Sequence, residues 1–141
     1  MKKVFLDTNI LLDYGQAREE YIYAKAIMEL GEQGMIKLHA SYLSYANMGY
    51  ILRHYNKETV WSLIQEMREG IEVVANDALQ LDNTLSHSPV KDYEDLLQYH
   101  SALASGCDVI VTNNKRDFAE FSTLPIYTSK EFLIHYFRSI V

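Results

Sequence analysis

The stretch Val4–Asp13, VFLDTNILLD, constrains this chain more than any other. A short apolar run stops at an aspartate, Thr8 and Asn9 follow, and an apolar pattern resumes. That is the pattern of a buried strand delivering a carboxylate at its carboxyl end. In open parallel α/β sheets, ligands bind at that edge. Asp-Thr-Asn equally suits the start of a helix, whose free N–H groups are capped by short polar side chains. The three residues by themselves leave both readings open.

The rest of the chain alternates strand-like runs with helical ones, with no linker, repeat or low-complexity segment. Strands are expected at Lys3–Leu6, Ile36–Ala40, Ile71–Val74, Asp108–Thr112 and Ile126–Tyr127. Helices are expected at Ile10–Tyr14, Glu19–Gly31 (with Gly31 or Gly34 as terminator), Lys57–Glu69, Asn76–Leu85 (capped by Asn76) and Ser129–Arg138. Ser41–His54 is apolar nearly all round, so it is expected to be a buried helix capped by Ser41. Asp92–Ser105 is expected to turn Tyr93, Leu96, Leu97, His100 and Leu103 inward, with Gly106 ending it and Asn113–Phe118 a polar loop. Strands alternating with helices predict a parallel sheet with helices on both faces. Right-handed crossovers then put every strand's carboxyl end on one rim.

Composition excludes several classes. A chain of 141 residues with 48% hydrophobic and 23% charged residues is ordinary for a globular domain with a full core. No apolar run approaches the roughly 20 residues that span a membrane. MKKVFLDT meets a charge too early for a signal peptide, so a cytoplasmic protein is expected. The single Cys107 precedes VIV and reads as a small core residue. The five histidines are scattered, which disfavours a His-built zinc site. A net charge of −6 is the wrong sign for holding nucleic acid by basic surface alone. Bound divalent cations would lessen that objection, as would a patch at Lys2–Lys3, Arg53–His54–Lys57 or Lys115–Arg116.

The expected topology brings acids together. Asp7 ends the first strand, Thr112 ends the fourth, and Asp117 lies just beyond. Asp92, Glu94 and Asp95 fall in the first turn of the helix that precedes strand four, where acids also compensate the helix dipole. Ser41 and Ser44 begin the helix after strand two, and Asn47 lies inside it. Two carboxylates about 4 Å apart repel by about 4 kcal/mol at an effective dielectric near 20. Such a group must protonate or hold a cation. Oxygen ligands without His or Cys favour Mg²⁺ or Mn²⁺ over zinc.

VFLDTNILLD, ASYLSYANMGYILR, KDYEDLLQYHSALASGCDVIVTNNKRDF and the closing LPIYTSKEFL together resemble the PIN domain family, essentially end to end, and within it the VapC-like toxins of bacterial toxin–antitoxin pairs. The resemblance implies a three-layer α/β/α sandwich with a five-stranded parallel sheet, one PIN-like domain over residues 1–141. It further implies a Mg²⁺- or Mn²⁺-dependent ribonuclease. Asp7, Asp95 and Asp117 would hold the metal and carry catalysis. Asn9, Ser44, Asn47, Asp92, Thr112 and Asn114 would support the site or the RNA, and a homodimer and a small antitoxin are implied as partners. One position departs. Where the family carries a glutamate, after strand two, this chain has Asn47, whose amide brings no charge.

Two other readings come from that departure and from the first strand. Asn47 favours a degenerate PIN-like module that binds RNA or a protein without cleaving. A phosphatase or receiver domain also places an Asp after strand one, but a haloacid-type phosphatase needs a second Asp where this chain has Asn9, and no receiver-type acid pair and lysine match. No glycine-rich phosphate loop is present. Finally, the 11 tyrosines crowd the first helices and the helix after strand two. A single inward stripe cannot hold them all, so some are expected on a self-association surface beside the rim.

Overall fold

A computed structural model describes residues 1–140. Its elements are β1 (Lys3–Leu6), α1 (Thr8–Gly15), α2 (Tyr21–Glu32), β2 (Lys37–Ser41), α3 (Tyr42–Ile51), α4 (Lys57–Glu69), β3 (Glu72–Val74), α5 (Ala78–Ser86), α6 (Tyr93–Ala104), β4 (Val109–Val111), α7 (Lys115–Ala119), β5 (Ile126–Tyr127) and α8 (Ser129–Ser139). All pairings are parallel, in the order β3-β2-β1-β4-β5. The chain therefore winds outward from β1 to β3 and then crosses to β4 on the other side of β1. The switch point lies between β1 and β4, where an open parallel sheet leaves a crevice at its carboxyl rim.

Period-two alternation on β1 divides the core. Val4 and Leu6 face the larger cluster, with Ile10, Leu11, Ile27, Met48, Met67 and Phe132 from α1–α4 and α8. Phe5 faces the other way, with Ile110, Leu96, Tyr99, Ala102, Cys107 and Phe118. Helices thus cover both faces, the expected three-layer α/β/α arrangement. Cys107 is a buried core residue, as its place before VIV implied.

Several elements differ from the expectation, each for a local reason. The segment Asn113–Phe118 is not wholly loop, because Lys115–Ala119 forms the short α7. Asp77, not Asn76, caps α5, accepting from Gln80 N at 2.9 Å. Asn76 is drawn elsewhere: it accepts from Leu43 N and donates to Ser101 and Gln80. Helix α3 is not buried all round. Ser44 and Met48 are buried while Tyr42, Tyr50 and Ile51 are exposed. The inward face of α6 keeps Leu96 of the expected stripe but is otherwise shifted from it: Asp95, Gln98, Tyr99, Ser101 and Ala102 are buried with Leu96, while Tyr93 and Leu103 are exposed. Tyr14 and Tyr21 stack within the chain at 5.8 Å, half-buried, whereas Tyr42, Tyr50 and Tyr55 stand exposed.

The two glycines of the α2 terminus have separate jobs. The helix runs through Gly31 and stops beyond it, with Gly34 in the left-handed region at φ +72°. At Gly31 a Cβ would come within 2.5 Å of the Leu38 side chain on β2, which is itself buried. Gly31→Ala therefore gains about 1 kcal/mol of helix propensity but overpacks the helix–sheet contact at a cost of about 1–3 kcal/mol. We expect chemical denaturation to show a net loss of stability for Gly31→Ala, and the loss to shrink when Leu38 is shortened to Val.

Candidate active site

The strand register builds the site. Leu6 pairs with Val111, so the next residues, Asp7 and Thr112, emerge side by side at the switch point, with Asp7 N bonded to Val111 O at 3.0 Å. Asp7 is 4% exposed and Thr112 wholly buried. A carboxylate placed there loses its water and must be met by donors. Four converge on it. Oδ1 accepts from Thr8 N at 2.8 Å and from Gln98 Nε2 at 3.3 Å; Oδ2 accepts from Thr112 Oγ1 at 2.8 Å and Asn9 Nδ2 at 3.3 Å. Asp7 is thus also the N-cap of α1, so the two readings of Asp-Thr-Asn are one arrangement. Burial still pushes its carboxyl above the ordinary range, against the lowering pull of these bonds.

The neighbouring side chains lock one another. Thr112 Oγ1 donates to Asp7 and accepts from Asn9 Nδ2 and from the backbone N–H of Asn114 at 3.0 Å. Asn9 Oδ1 accepts from Asn113 N, and Asn113 Nδ2 donates to the buried Asp13. Ser41 caps α3 through Ser44 N, as expected. Beneath Asp7 lies a buried amide unmarked by the sequence pattern. Gln98 donates to Ser44 Oγ at 2.8 Å, Thr8 Oγ1 at 3.2 Å and Asp7, and accepts from Ser41 Oγ. The available signal was spacing: Gln98 follows Asp95 by three residues, hence on the same helix face.

The remaining acids come from α6 and α7. Asp92 caps α6 by accepting from Asp95 N at 3.1 Å. One ligand oxygen from each of Asp92, Asp95 and Asp117 lies within 4.8 Å of the others. Asp7 is outside that trio, but its charge reaches Asp95. Asp95 is 6% exposed and its Oδ2 has no hydrogen-bond partner. Burial first, then the charges of Asp7, Asp92 and Asp117, push its carboxyl up to about 8. An open cleft of about 440 Å³ runs over this ground, lined by Asp7, Asn9, Asn47, Asp92, Asp95 and Asn114 among others. Ser44 and Thr112 lie beneath it, in contact with Thr8 and Asp7. Glu94, one of the acids expected at this helix start, and Arg18, unmarked by the sequence pattern, also line the cleft. Arg18 follows Ala17, whose φ of +48° turns the chain between α1 and α2.

These electrostatics set a pH dependence. Unfolded, Asp95 ionises near 3.8; folded, near 8, so between those values the folded chain alone keeps the proton. Metal-free stability is then greatest at the acid end of the window and falls as pH rises from about 4 to 8. Asp95→Asn should flatten that slope and raise the melting temperature at pH 8 by a few degrees, read by calorimetry in EDTA. Asp7→Asn should not, because its NH₂ would face donors. Gln98→Leu should cost about 1–3 kcal/mol in denaturation, having left Asp7 Oδ1 and the hydroxyls of Ser41, Ser44 and Thr8 short of a partner.

The chain is similar over most of its length to several known proteins. The chain is 24% identical over 136 residues to Ribonuclease VapC1 of Aquifex aeolicus (strain VF5), covering 93% of each chain. Its fold superposes on a chain of DNA-bound VapBC from Salmonella typhimurium with a TM-score of 0.71 at 20% identity, covering 92% of this chain and 99% of that one. It superposes on VapBC-1 from nontypeable Haemophilus influenzae with a TM-score of 0.67 at 23% identity, covering 91% and 98%. The PIN domain model itself matches residues 3–116, from β1 into the start of α7, and the chain belongs to the PIN domain family.

Proposed function

We propose that this chain is a divalent-metal-dependent ribonuclease that hydrolyses RNA phosphodiester bonds, and that it is the toxin of a toxin–antitoxin pair. The observation that carries the reading is Asp95: a buried carboxylate with an unpartnered oxygen, facing further acids, in a cleft at the sheet's switch point. A group so placed is short of positive charge. The donors are carboxylate and amide oxygens with no His or Cys among them, a set that fits Mg²⁺ or Mn²⁺. Asp7, Asp95 and Asp117 would hold the ion, with Asp92 beside them. Bound there, the ion would lower the pKa of a water to make the nucleophile and offset charge on the phosphate.

The chain's own residues then divide the work. Thr112 and Asn9 fix the orientation of Asp7, and Gln98 with Ser44 fixes it from below. Asn114, held through its backbone to Thr112, lines the cleft where RNA would lie. Arg18 is the one basic side chain lining the cleft among the described residues, placed to meet a phosphate. Its pairing with Asp13 at 3.8 Å is half-exposed and so easily exchanged. Asp95 at about 8 keeps its proton at neutral pH without a cation, so proton and metal compete for it.

The similarity to VapBC structures supports a small antitoxin partner for this chain, one that presents Arg or Lys to the acidic rim in place of the metal. Exposed Tyr42, Tyr50 and Tyr55 support a homodimer through α3 and its neighbours. No helix among the described residues is long and apolar enough to cross a membrane, and action on RNA implies a cytoplasmic setting. Asn47 favours the second reading, a module that binds RNA without cutting it.

A cleavage assay separates the two readings. Purified chain should cut structured RNA with Mg²⁺ or Mn²⁺, stop in EDTA, and lose at least about a hundredfold in rate on Asp95→Asn, in line with removing a metal-holding group. Metal-dependent binding without cleavage at any metal concentration would establish the degenerate module instead.

A further inference from the structure

The family's glutamate position holds Asn47, yet the cleft does not lack a carboxylate there. Asn47 Nδ2 donates to Glu94 Oε1, across from α3 to α6. Glu94 lines the cleft together with Asp7, Asp92, Asp95 and Asn47. Its side chain is exposed, as a ligand open to solvent exchange requires, while one of its oxygens remains outside the bond to Asn47. Beside Glu94, the buried Asp95 Oδ2 has no partner. A further acid in this crowd gains helix-dipole compensation but repels its neighbours, a repulsion that a shared cation would relieve.

We propose that Glu94 is the fourth acid of the divalent-cation site, relocated from α3 to the first turn of α6, and that Asn47 is a positioning residue that holds Glu94 over the cleft. The inference rests on the metal-dependent reading given above. Glu94 stands on the residue before Asp95, so the first turn of one helix, capped by Asp92, presents three carboxylates to the cation. The amide at position 47 can donate, which a glutamate there could not, and it leaves Glu94 Oε2 free. The absence of charge at position 47 is then an exchange rather than a loss.

The test is Mn²⁺ binding by the full chain, followed by titration calorimetry and by the Mn²⁺ electron paramagnetic resonance signal, with no RNA present. Glu94→Gln should weaken Mn²⁺ about tenfold or more, while metal-free stability at pH 8 stays level or rises because repulsion is relieved. Asn47→Ala, which frees Glu94 to move, should weaken Mn²⁺ by less. The exchange variant Asn47→Glu/Glu94→Gln should recover most of the affinity. Glu94→Gln binding Mn²⁺ like the parent, or an exchange variant no better than Glu94→Gln, overturns the proposal. If Asp95→Asn abolishes binding while Glu94→Gln keeps the affinity of the parent, this inference fails and the nuclease reading stands. A parent chain that binds no Mn²⁺ overturns both.

Discussion

The structure depends on one carboxylate held where water is excluded. Asp7 sits at the junction of β1 and β4 because the strand register leaves it no other place. A charge there is tolerated only when donors surround it. Those donors come from its own helix (Thr8 N, Asn9), from β4's end (Thr112) and from α6 (Gln98). Solvating a single side chain thereby ties together α1, the end of β4 and α6.

The second consequence is a polar layer beneath the cleft. Gln98, Ser41, Ser44 and Thr8 form a buried network in which α3 and α6 are bonded to each other under Asp7. Buried networks of this kind specify geometry because each member's alternatives are unsatisfied. They also account for the rotation of α6. Its inward face must serve this network, so Tyr93 and Leu103 turn outward, and Tyr99 and Ala102 join Leu96 in packing against the sheet.

Above that layer the balance reverses. Asp7 is surrounded by donors, whereas Asp95 has an oxygen with none and acids on several sides. The same cleft therefore holds one carboxylate met by donors on both oxygens and another with a buried oxygen that no donor meets. Arg18, the basic side chain lining the cleft, pairs with Asp13 and not with these acids.

The element order, the parallel sheet and the rim position of Asp7, Asp92, Asp95, Thr112 and Asp117 were legible in the sequence, because period-two and period-3.6 patterns and the handedness of crossovers are local or nearly local rules. The cap of α3 by Ser41 was legible for the same reason. What the sequence could not determine was anything that depends on which distant side chains meet. Asn76 yielded its cap to Asp77 because Leu43 and Ser101 lie within its reach only in the folded chain. The exposure of Tyr42 and Tyr50 follows from where α3 lies against the sheet, not from its composition. Gln98 is unmarked by the sequence pattern, and only the tertiary arrangement puts it under Asp7. Likewise the sequence gives Asn47 as a missing charge, while the fold sets Glu94 against it. Local pattern decides which residues are apolar and which carry charge; the long-range packing of α3 against α6 decides which of those charges share one volume of space.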